Sequence, residues 1–279
     1  MVDENKEMNQ QQKREMQDQS LQENMAKIKH KVIVISGKGG VGKSTVSVNL
    51  AIGLSLQGKK VGILDIDIHG PSLAKMLGIE GQMLVVDDQQ KLQPIQANGL
   101  SIVTIASMLR DTDAPVIWRG PLKMNVIKQF LSEVNWGDLD YLVIDSPPGT
   151  GDEPLSICQL IPEADGTVIV TTPQDVALID SRKAIRFSEA LKMPVLGIIE
   201  NMSGLACPHC GKSIELFKMG GGEKAAQELN MPFLGRISID PEIVQASDAG
   251  KPYIQEFTDN PAAQSMNGIV EKIVEATNK

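Results

Sequence analysis

Short apolar runs alternate along most of the chain with segments of helical periodicity, and glycine-containing connectors separate them. Runs of this kind are typical of strands buried on both faces of a parallel sheet. They predict strands at residues 31–36, 60–66, 100–106, 140–144, 167–172, 195–200 and 233–237. The helical segments between them are residues 43–56, 71–77, 121–134, 177–191, 223–229 and 261–276, and residues 69–98 are otherwise irregular. This alternation predicts an α/β fold with a doubly wound, mostly parallel sheet.

The first thirty residues differ from the rest of the chain. Residues 1–30 are rich in Gln, Glu, Lys, Asn and Met, contain no Pro or Gly, and offer few branched apolar side chains for burial. Such a composition favours a flexible tail, and an exposed, partly helical arm is the alternative. The sequence therefore predicts a tail over residues 1–30 and one α/β domain over residues 31–279.

Composition and charge exclude several classes of function. Apolar residues make up 42% of the 279 residues, aromatic residues only 3%, and the net charge is −8. An acidic chain is a poor nonspecific binder of nucleic acid or anionic membranes, so neither is expected as a partner. No apolar run reaches the length of a membrane span, and the N-terminus lacks the apolar core of a secretory signal. These features, with an odd number of three cysteines, predict a cytoplasmic protein without a disulfide framework.

A phosphate-binding loop follows the first predicted strand and begins the first helix after it. It fits G-x-x-x-x-G-K-[ST] and consists of Gly37, Lys38, Gly39, Gly40, Val41, Gly42, Lys43 and Ser44. Glycines let backbone N–H groups converge on phosphate oxygens at a helix N-terminus. We expect Lys43 to reach the β- and γ-phosphates and Ser44 to bind Mg²⁺, with Thr45 nearby. The loop predicts binding of ATP with Mg²⁺.

Acidic residues end two of the predicted strands. Asp145 follows an apolar run and precedes a Ser-Pro-Pro-Gly-Thr-Gly-Asp segment, and Asp65 and Asp67 end the second strand. An aspartate at the carboxyl end of a strand beside a phosphate loop can hold Mg²⁺. The stiff segment over residues 145–152, with glycine as its flexible point, would respond to the γ-phosphate.

A Cys-x-x-Cys pair lies in a connector that contains Gly and Ser. Cys207 and Cys210 can share one metal or cluster, although a tetrahedral metal or a cubane cluster requires about four ligands. Cys158 lies in an apolar run and is interpreted as a core cysteine. The remaining ligands would come from a second copy across a two-fold axis. An iron–sulfur cluster, a zinc ion and a redox-active pair all remain open interpretations of Cys207 and Cys210.

The lysine early in the loop, in GKGGVGK[ST], resembles the deviant Walker A group of dimeric P-loop ATPases. The resemblance implies that Lys38 crosses a dimer interface to the partner's nucleotide, in the manner of an arginine finger. It also implies that Asp67 orients the attacking water or contacts Mg²⁺, with Asp65 at the preceding acidic position. Asn201 falls where relatives recognise adenine, although a turn-forming role is the alternative.

Several longer segments resemble the Mrp/ApbC family of iron–sulfur cluster carriers. They are GKGGVGKST, DIDIHGPS, DYLVIDSPPGTGD, TTPQDVAL, ENMSGLACPHCGK and MGGGEKAAQEL. The resemblance implies a homodimeric ATPase that binds a [4Fe–4S] cluster between subunits at Cys207 and Cys210 and passes it to apoproteins. The chain lacks the small domain that precedes the loop in many bacterial members, and residues 1–30 lack the N-terminal cysteines of eukaryotic scaffold relatives.

Three alternatives remain. A positioning ATPase of the Min/Par type shares the early lysine but needs neither Cys207 nor Cys210. The C-terminal residues GIVEKIVEATNK are mixed in charge, unlike a basic membrane-targeting helix. The second alternative is a dimeric ATPase bridged by zinc. The third is a metabolic kinase or ligase, for which the sequence offers no further catalytic residues.

Overall fold

A twisted sheet of eight strands forms the centre of the molecule, in the order β12-β9-β8-β1-β7-β2-β6-β5, and only the edge strand β5 runs antiparallel. The computed structural model describes residues 2–67, 70, 72–108, 120–207, 209–210 and 212–279. The strands are β1 Ile28–Ser36, β2 Val61–Asp65, β3 Val85–Val86, β4 Leu92–Gln93, β5 Ile95–Ala97, β6 Leu100–Thr104, β7 Leu139–Asp145, β8 Gly166–Thr171, β9 Val195–Glu200, β10 Leu205–Ala206, β11 Ser213–Ile214 and β12 Phe233–Arg236.

Helices cover both faces of this sheet. They are α1 Val2–Ala26, α2 Lys43–Leu56, α3 Leu73–Met76, α4 Gly120–Glu133, α5 Asp152–Leu160, α6 Asp175–Ala190, α7 Gly221–Glu228, α8 Pro241–Asp248, α9 Tyr253–Glu256 and α10 Pro261–Thr277, with a 3₁₀ turn at Ile105–Met108. One apolar core lies beneath α2, α3, α8, α9 and α10, and a second lies beneath α1, α4, α5, α6 and α7. The predicted doubly wound α/β fold is confirmed. No helix in the described ranges combines the length and apolar character needed to cross a membrane.

Residues 69–98 contain more structure than their sequence indicates. The predicted helix at residues 71–77 is observed as the shorter α3, and Pro71, like Ile68 and His69, lies outside the described residues. β3 pairs with β4, and β5 pairs antiparallel with β6 at the sheet edge. These strands of two or three residues are too short for their periodicity to be recognised. Helices α5, α8 and α9 were also not predicted.

The N-terminal segment departs from the expected flexible tail over residues 1–30. Residues 2–26 form α1, and β1 begins at Ile28, three residues before the predicted strand. Leu21 and Met25 are buried on the apolar core. Asn24 Nδ2 donates to three backbone carbonyls at the end of α4, of which that of Ser132 lies 2.8 Å away. Two apolar side chains four residues apart and one capping amide are sufficient to dock this helix, although its composition is polar.

The carboxyl ends of the parallel strands meet at one edge of the sheet. β1, β2 and β7 are neighbours, and Asp65 lies directly beside Asp145 in the β2–β7 register. The loop after β1 and the last residues of β2 and β7 therefore converge, as ligand sites in open α/β sheets do.

Candidate functional site

The phosphate loop joins the end of β1 to the start of α2, as predicted. Gly40 and Gly42 have positive φ angles of 78° and 81°, in the left-handed region that favours glycine. A Cβ atom on Gly42 would lie 2.2 Å from Asn201 Nδ2, so no larger residue fits at this position. A cavity of about 230 Å³ opens beside the loop. It is lined by Lys38, Gly39, Gly40, Gly42, Lys43, Ser44, Thr45, Asp67 and Pro148, among others.

Lys43 lies at the centre of a buried charge network. Its Nζ is 2.7 Å from Asp145 Oδ1 and 3.8 Å from Asp67 Oδ2. The Ser47 hydroxyl donates to the same Asp145 oxygen at 2.7 Å. Ser47 was not singled out from the sequence, although it lies one helical turn after Lys43 and so faces the same way.

The Asp145 carboxylate has one oxygen still available. Asp145 is fully buried, and its Oδ2 has no hydrogen-bond partner among the described residues. A buried carboxylate oxygen without a partner is costly unless a cation or a water binds it. The hydroxyl of Ser44 lies 3.4 Å from Lys43 Nζ, so Ser44 and Asp145 both belong to this network. This donor set fits Mg²⁺, which prefers oxygen ligands.

Asp65 is a third carboxyl group at the same strand ends. Burial, followed by the neighbouring charge of Asp145, raises the pKa of Asp65 to about 7. The backbone N–H of Asp67 and the hydroxyl of Thr104 donate to Asp65 at 3.0 and 2.8 Å and oppose that rise in pKa. Asp65 therefore acts as a structural acceptor that orients the start of the Asp67 segment.

The segment after β7 contacts the end of β1, just before the phosphate loop, through its backbone. The N–H of Ser146 donates to Val34 O, and that of Gly149 donates to Ser36 O at 2.8 Å. Gly149 has a φ of 93°, in the left-handed region that favours glycine, and the switch role of this segment stays a prediction. A Cβ on Gly39 would lie 3.9 Å from the Pro148 ring, so the segment and the loop are close neighbours.

Asn201 lies against the phosphate loop from the other side. Its Nδ2 donates to Val41 O at 2.9 Å, and its backbone N–H donates to Thr171 O at 2.8 Å. The side chain therefore supports the loop in this structure. Its predicted contact with adenine stays a prediction.

The cysteine pair occupies the tip of a small hairpin after β9. Strands β10 and β11 pair antiparallel, and Cys207 N donates to Lys212 O to close the turn. Hydrogen bonds from the backbone N–H groups of His209 and Cys210, and then from the Cys210 thiol, lower the pKa of the Cys207 thiol. A lowered thiol pKa favours the thiolate, which is the form that binds metals. Pro208 and Gly211 lie outside the described residues.

Cys158 lies apart from this pair, within α5. It is buried in the apolar core, and burial raises the pKa of its thiol to about 11. The expected core cysteine is confirmed. Within the described residues no group of three or more His, Cys, Asp or Glu side chains is arranged to hold a metal. Cys207 and Cys210 therefore have no third ligand of these types in this part of the chain.

Several apolar side chains after the cysteines are exposed. They are Ile214, Leu216, Phe217 and Met219, and Val176 and Ile179 are exposed on α6, whose Asp175 pairs with Lys218. Exposed apolar side chains of this kind can contact a partner.

The chain is similar in sequence and fold to known proteins. The ParA family profile, described as an iron-transfer P-loop NTPase of the NUBPL type, matches residues 27–274. The chain belongs to this family. The predicted resemblance to the Mrp/ApbC carriers is thereby confirmed at the level of the family.

Relatives in this NTPase family cover nearly the whole chain. An iron–sulfur cluster carrier protein of Methanocaldococcus jannaschii is 52% identical over 259 residues, which are 93% of this chain and 89% of the relative. A nucleotide-binding protein of Archaeoglobus fulgidus, solved with ADP, has a TM-score of 0.77 and 39% identity, with 88% and 95% of the two chains covered. The cell division ATPase MinD of Pyrococcus furiosus has a TM-score of 0.65 at 21% identity, over 88% and 98% of the two chains, which shows the shared fold alone.

Proposed function

We propose that this protein is an ATP-hydrolysing carrier of [4Fe–4S] clusters. In this proposal two copies hold one cluster between their Cys207 and Cys210 pairs and pass it to apoproteins. The observation that carries the proposal is the pairing of two thiols, on an exposed hairpin, with a phosphate loop of an iron-transfer NTPase family. A cubane cluster requires about four thiolates. Two described thiols on each hairpin therefore match one cluster for each dimer.

The nucleotide site has residues that could bind the phosphates, contact the adenine, hold Mg²⁺ and orient the attacking water. Lys43 and the backbone N–H groups of the loop would hold the phosphates, and Asn201 would contact the adenine. Ser44 and Asp145 would hold Mg²⁺, which neutralises charge on the phosphate oxygens when it is bound. Asp67, at the rim of the same cavity, would orient the attacking water.

Lys38 would act on the nucleotide of the other copy. Its side chain is half-buried at the mouth of the cavity. A cation supplied by a partner stabilises the charge that develops on the transferred phosphoryl group. Hydrolysis would then depend on the same dimer that completes the cluster site. We place this dimer in the cytoplasm, where thiols stay reduced.

The experiment is anaerobic reconstitution with iron and sulfide, compared between the wild type, Cys207→Ser/Cys210→Ser and Cys158→Ser. We expect about four irons for each wild-type dimer, transfer to an apo-acceptor, and no cluster in the double variant. Cys158→Ser is the matched control and retains the cluster because that thiol is buried in the core.

All three proteins should bind ADP equally, since the phosphate loop is a separate site. A wild type that takes up only zinc would support the zinc-bridged alternative. A double variant that still holds the full iron content would contradict the proposal.

A further inference from the structure

One buried carboxylate binds the residues on both sides of the cysteine segment, which we define as residues 204–219. Glu200, the last residue of β9, is 0% exposed. Its Oε1 accepts hydrogen bonds from the Ser203 hydroxyl and from the N–H of Gly220, the latter at 2.9 Å. Its Oε2 accepts from the N–H of Gly222. Ser203 precedes the cysteine segment and both glycines follow it, so a single side chain holds the two ends together.

Two glycines of the MGGGEKAAQEL motif fit this contact. Gly220 has a φ of 82°, in the left-handed region that favours glycine, and as the N-cap of α7 it has no side chain to cap the helix. A Cβ on Gly222 would lie 3.0 Å from Glu200 Cβ, so the backbone approaches the carboxylate closely only without a side chain. The first N–H groups of a helix attract an anion. Glu200 supplies that anion and serves as the distant cap of α7.

The residue after Glu200 contacts the phosphate loop. Asn201 Nδ2 donates to Val41 O at 2.9 Å, and a Cβ on Gly42 would meet the same amide. Glu200 therefore contacts the residues that flank the cysteine segment on both sides, and Asn201 contacts the phosphate loop. Both side chains are buried, which leaves them little freedom to move independently.

We propose that Glu200 is a positioning residue, which fixes the cysteine segment relative to the phosphate loop and transmits the nucleotide state to Cys207 and Cys210. The proposal rests on the proposed function only in assuming that Cys207 and Cys210 bind a cluster. A buried carboxylate that accepts from three donors is a strong constraint, because losing one acceptor leaves buried N–H groups without partners. Glutamine has the same shape but offers a single acceptor oxygen, so it cannot satisfy all three.

The test measures how fast Cys207 and Cys210 react with a chromogenic disulfide in the metal-free protein at one pH, with and without ADP and Mg²⁺. In the wild type ADP should slow the reaction. In Glu200→Gln we expect the reaction without ADP to be about tenfold faster, and the effect of ADP to be lost although ADP still binds. Glu223→Gln is the matched control, since this half-buried glutamate on α7 pairs with Arg236, which lies outside the cysteine segment.

Equal rates in Glu200→Gln and Glu223→Gln, or an ADP effect that survives in Glu200→Gln, would overturn the proposal. If Glu200→Gln does not fold, Ser203→Ala is the variant to use instead. It removes one of the three donors to Glu200 and should speed the thiol reaction without ADP by a smaller factor. No change in that variant would also overturn it. The buried Cys158 serves as an internal slow thiol. Because the measurement needs no cluster, a failed reconstitution would count against the carrier function and leave this result standing.

Discussion

The phosphate loop and the cysteine segment lie at the same edge of the sheet, but they are built differently. The phosphate loop follows the central strand β1, and Lys43 and Asp145 beneath it are buried and paired. The cysteine segment follows β9, next to the edge strand β12, and consists of two strands of two residues each. Its Cys210 thiol is exposed and its apolar residues face outward.

The two regions therefore differ in how many of their proposed ligand-binding groups a single chain supplies. The lysine of the phosphate loop has carboxylate and hydroxyl partners from the residues just after β2, from β7 and from α2. The cysteine segment has two thiols where a cluster needs about four ligands. Apart from Lys38, which is proposed to act on the other copy, substitutions in the first region should therefore act within one chain, and substitutions in the second should act through a partner.

Among these predictions, Lys43→Ala should have the largest effect, and it should change ADP binding without changing metal binding at the cysteines. It removes the main positive partner of the phosphates, so ADP affinity should fall at least about a thousandfold. Titration calorimetry measures that loss. Cobalt uptake at Cys207 and Cys210, followed by thiolate absorbance, should stay unchanged because the polar partners of Lys43 are Ser44, Asp67 and Asp145, far from the hairpin in the chain.

Lys38→Ala is the matched control, since it removes the same charge from the same loop. It should keep ADP binding and lose hydrolysis. Nucleotide binding that survives in Lys43→Ala would show that the buried network does not hold the phosphates.

The two regions also differ in how far the sequence predicted them. The phosphate loop and α2 could be predicted because their signals are local: a glycine spacing, a strand before it and a helix after it. Ser47 and Glu200 could not be predicted, since their roles come from Asp145 and Gly222, far away in the chain.

Contacts distant in sequence also explain why the docking of the N-terminal helix was not predicted. The polar composition of residues 1–30 predicts a tail, and nothing within that segment reveals the carbonyls at the end of α4 that receive Asn24. Local patterns predict elements, whereas contacts distant in sequence decide which polar segments dock.

A second experiment measures how the free energy of unfolding depends on pH through Asp65, which lies beside the phosphate loop. Burial and Asp145 raise the pKa of Asp65 to about 7, whereas an aspartate in the unfolded chain titrates near about 4. Between these values the folded protein holds a proton that the unfolded chain has lost, so the free energy of unfolding falls as pH rises.

Asp65→Asn should remove this dependence. We expect the metal-free wild type to lose about 2–4 kcal/mol relative to the variant between pH 4 and pH 8. Urea unfolding at several pH values measures the difference. Asp88→Asn, at an exposed position, is the control and should follow the wild type. Parallel curves for Asp65→Asn and the wild type would mean that the carboxyl titrates normally.

The smallest effect on stability is expected in the cysteine segment. Leu216 and Phe217 are 57% and 37% exposed, so Leu216→Ala/Phe217→Ala should change the free energy of unfolding by no more than about 0.5 kcal/mol. Phe130→Ala is the buried control, and it should cost about 3–5 kcal/mol because it leaves a cavity beneath α4.

The double variant should nevertheless weaken the cluster-loaded dimer, since exposed apolar area stabilises association and not the single chain. Sedimentation velocity of the reconstituted protein measures the dimer fraction. A dimer that persists undiminished would place the interface elsewhere, and a large loss of stability would show that these side chains support the chain itself.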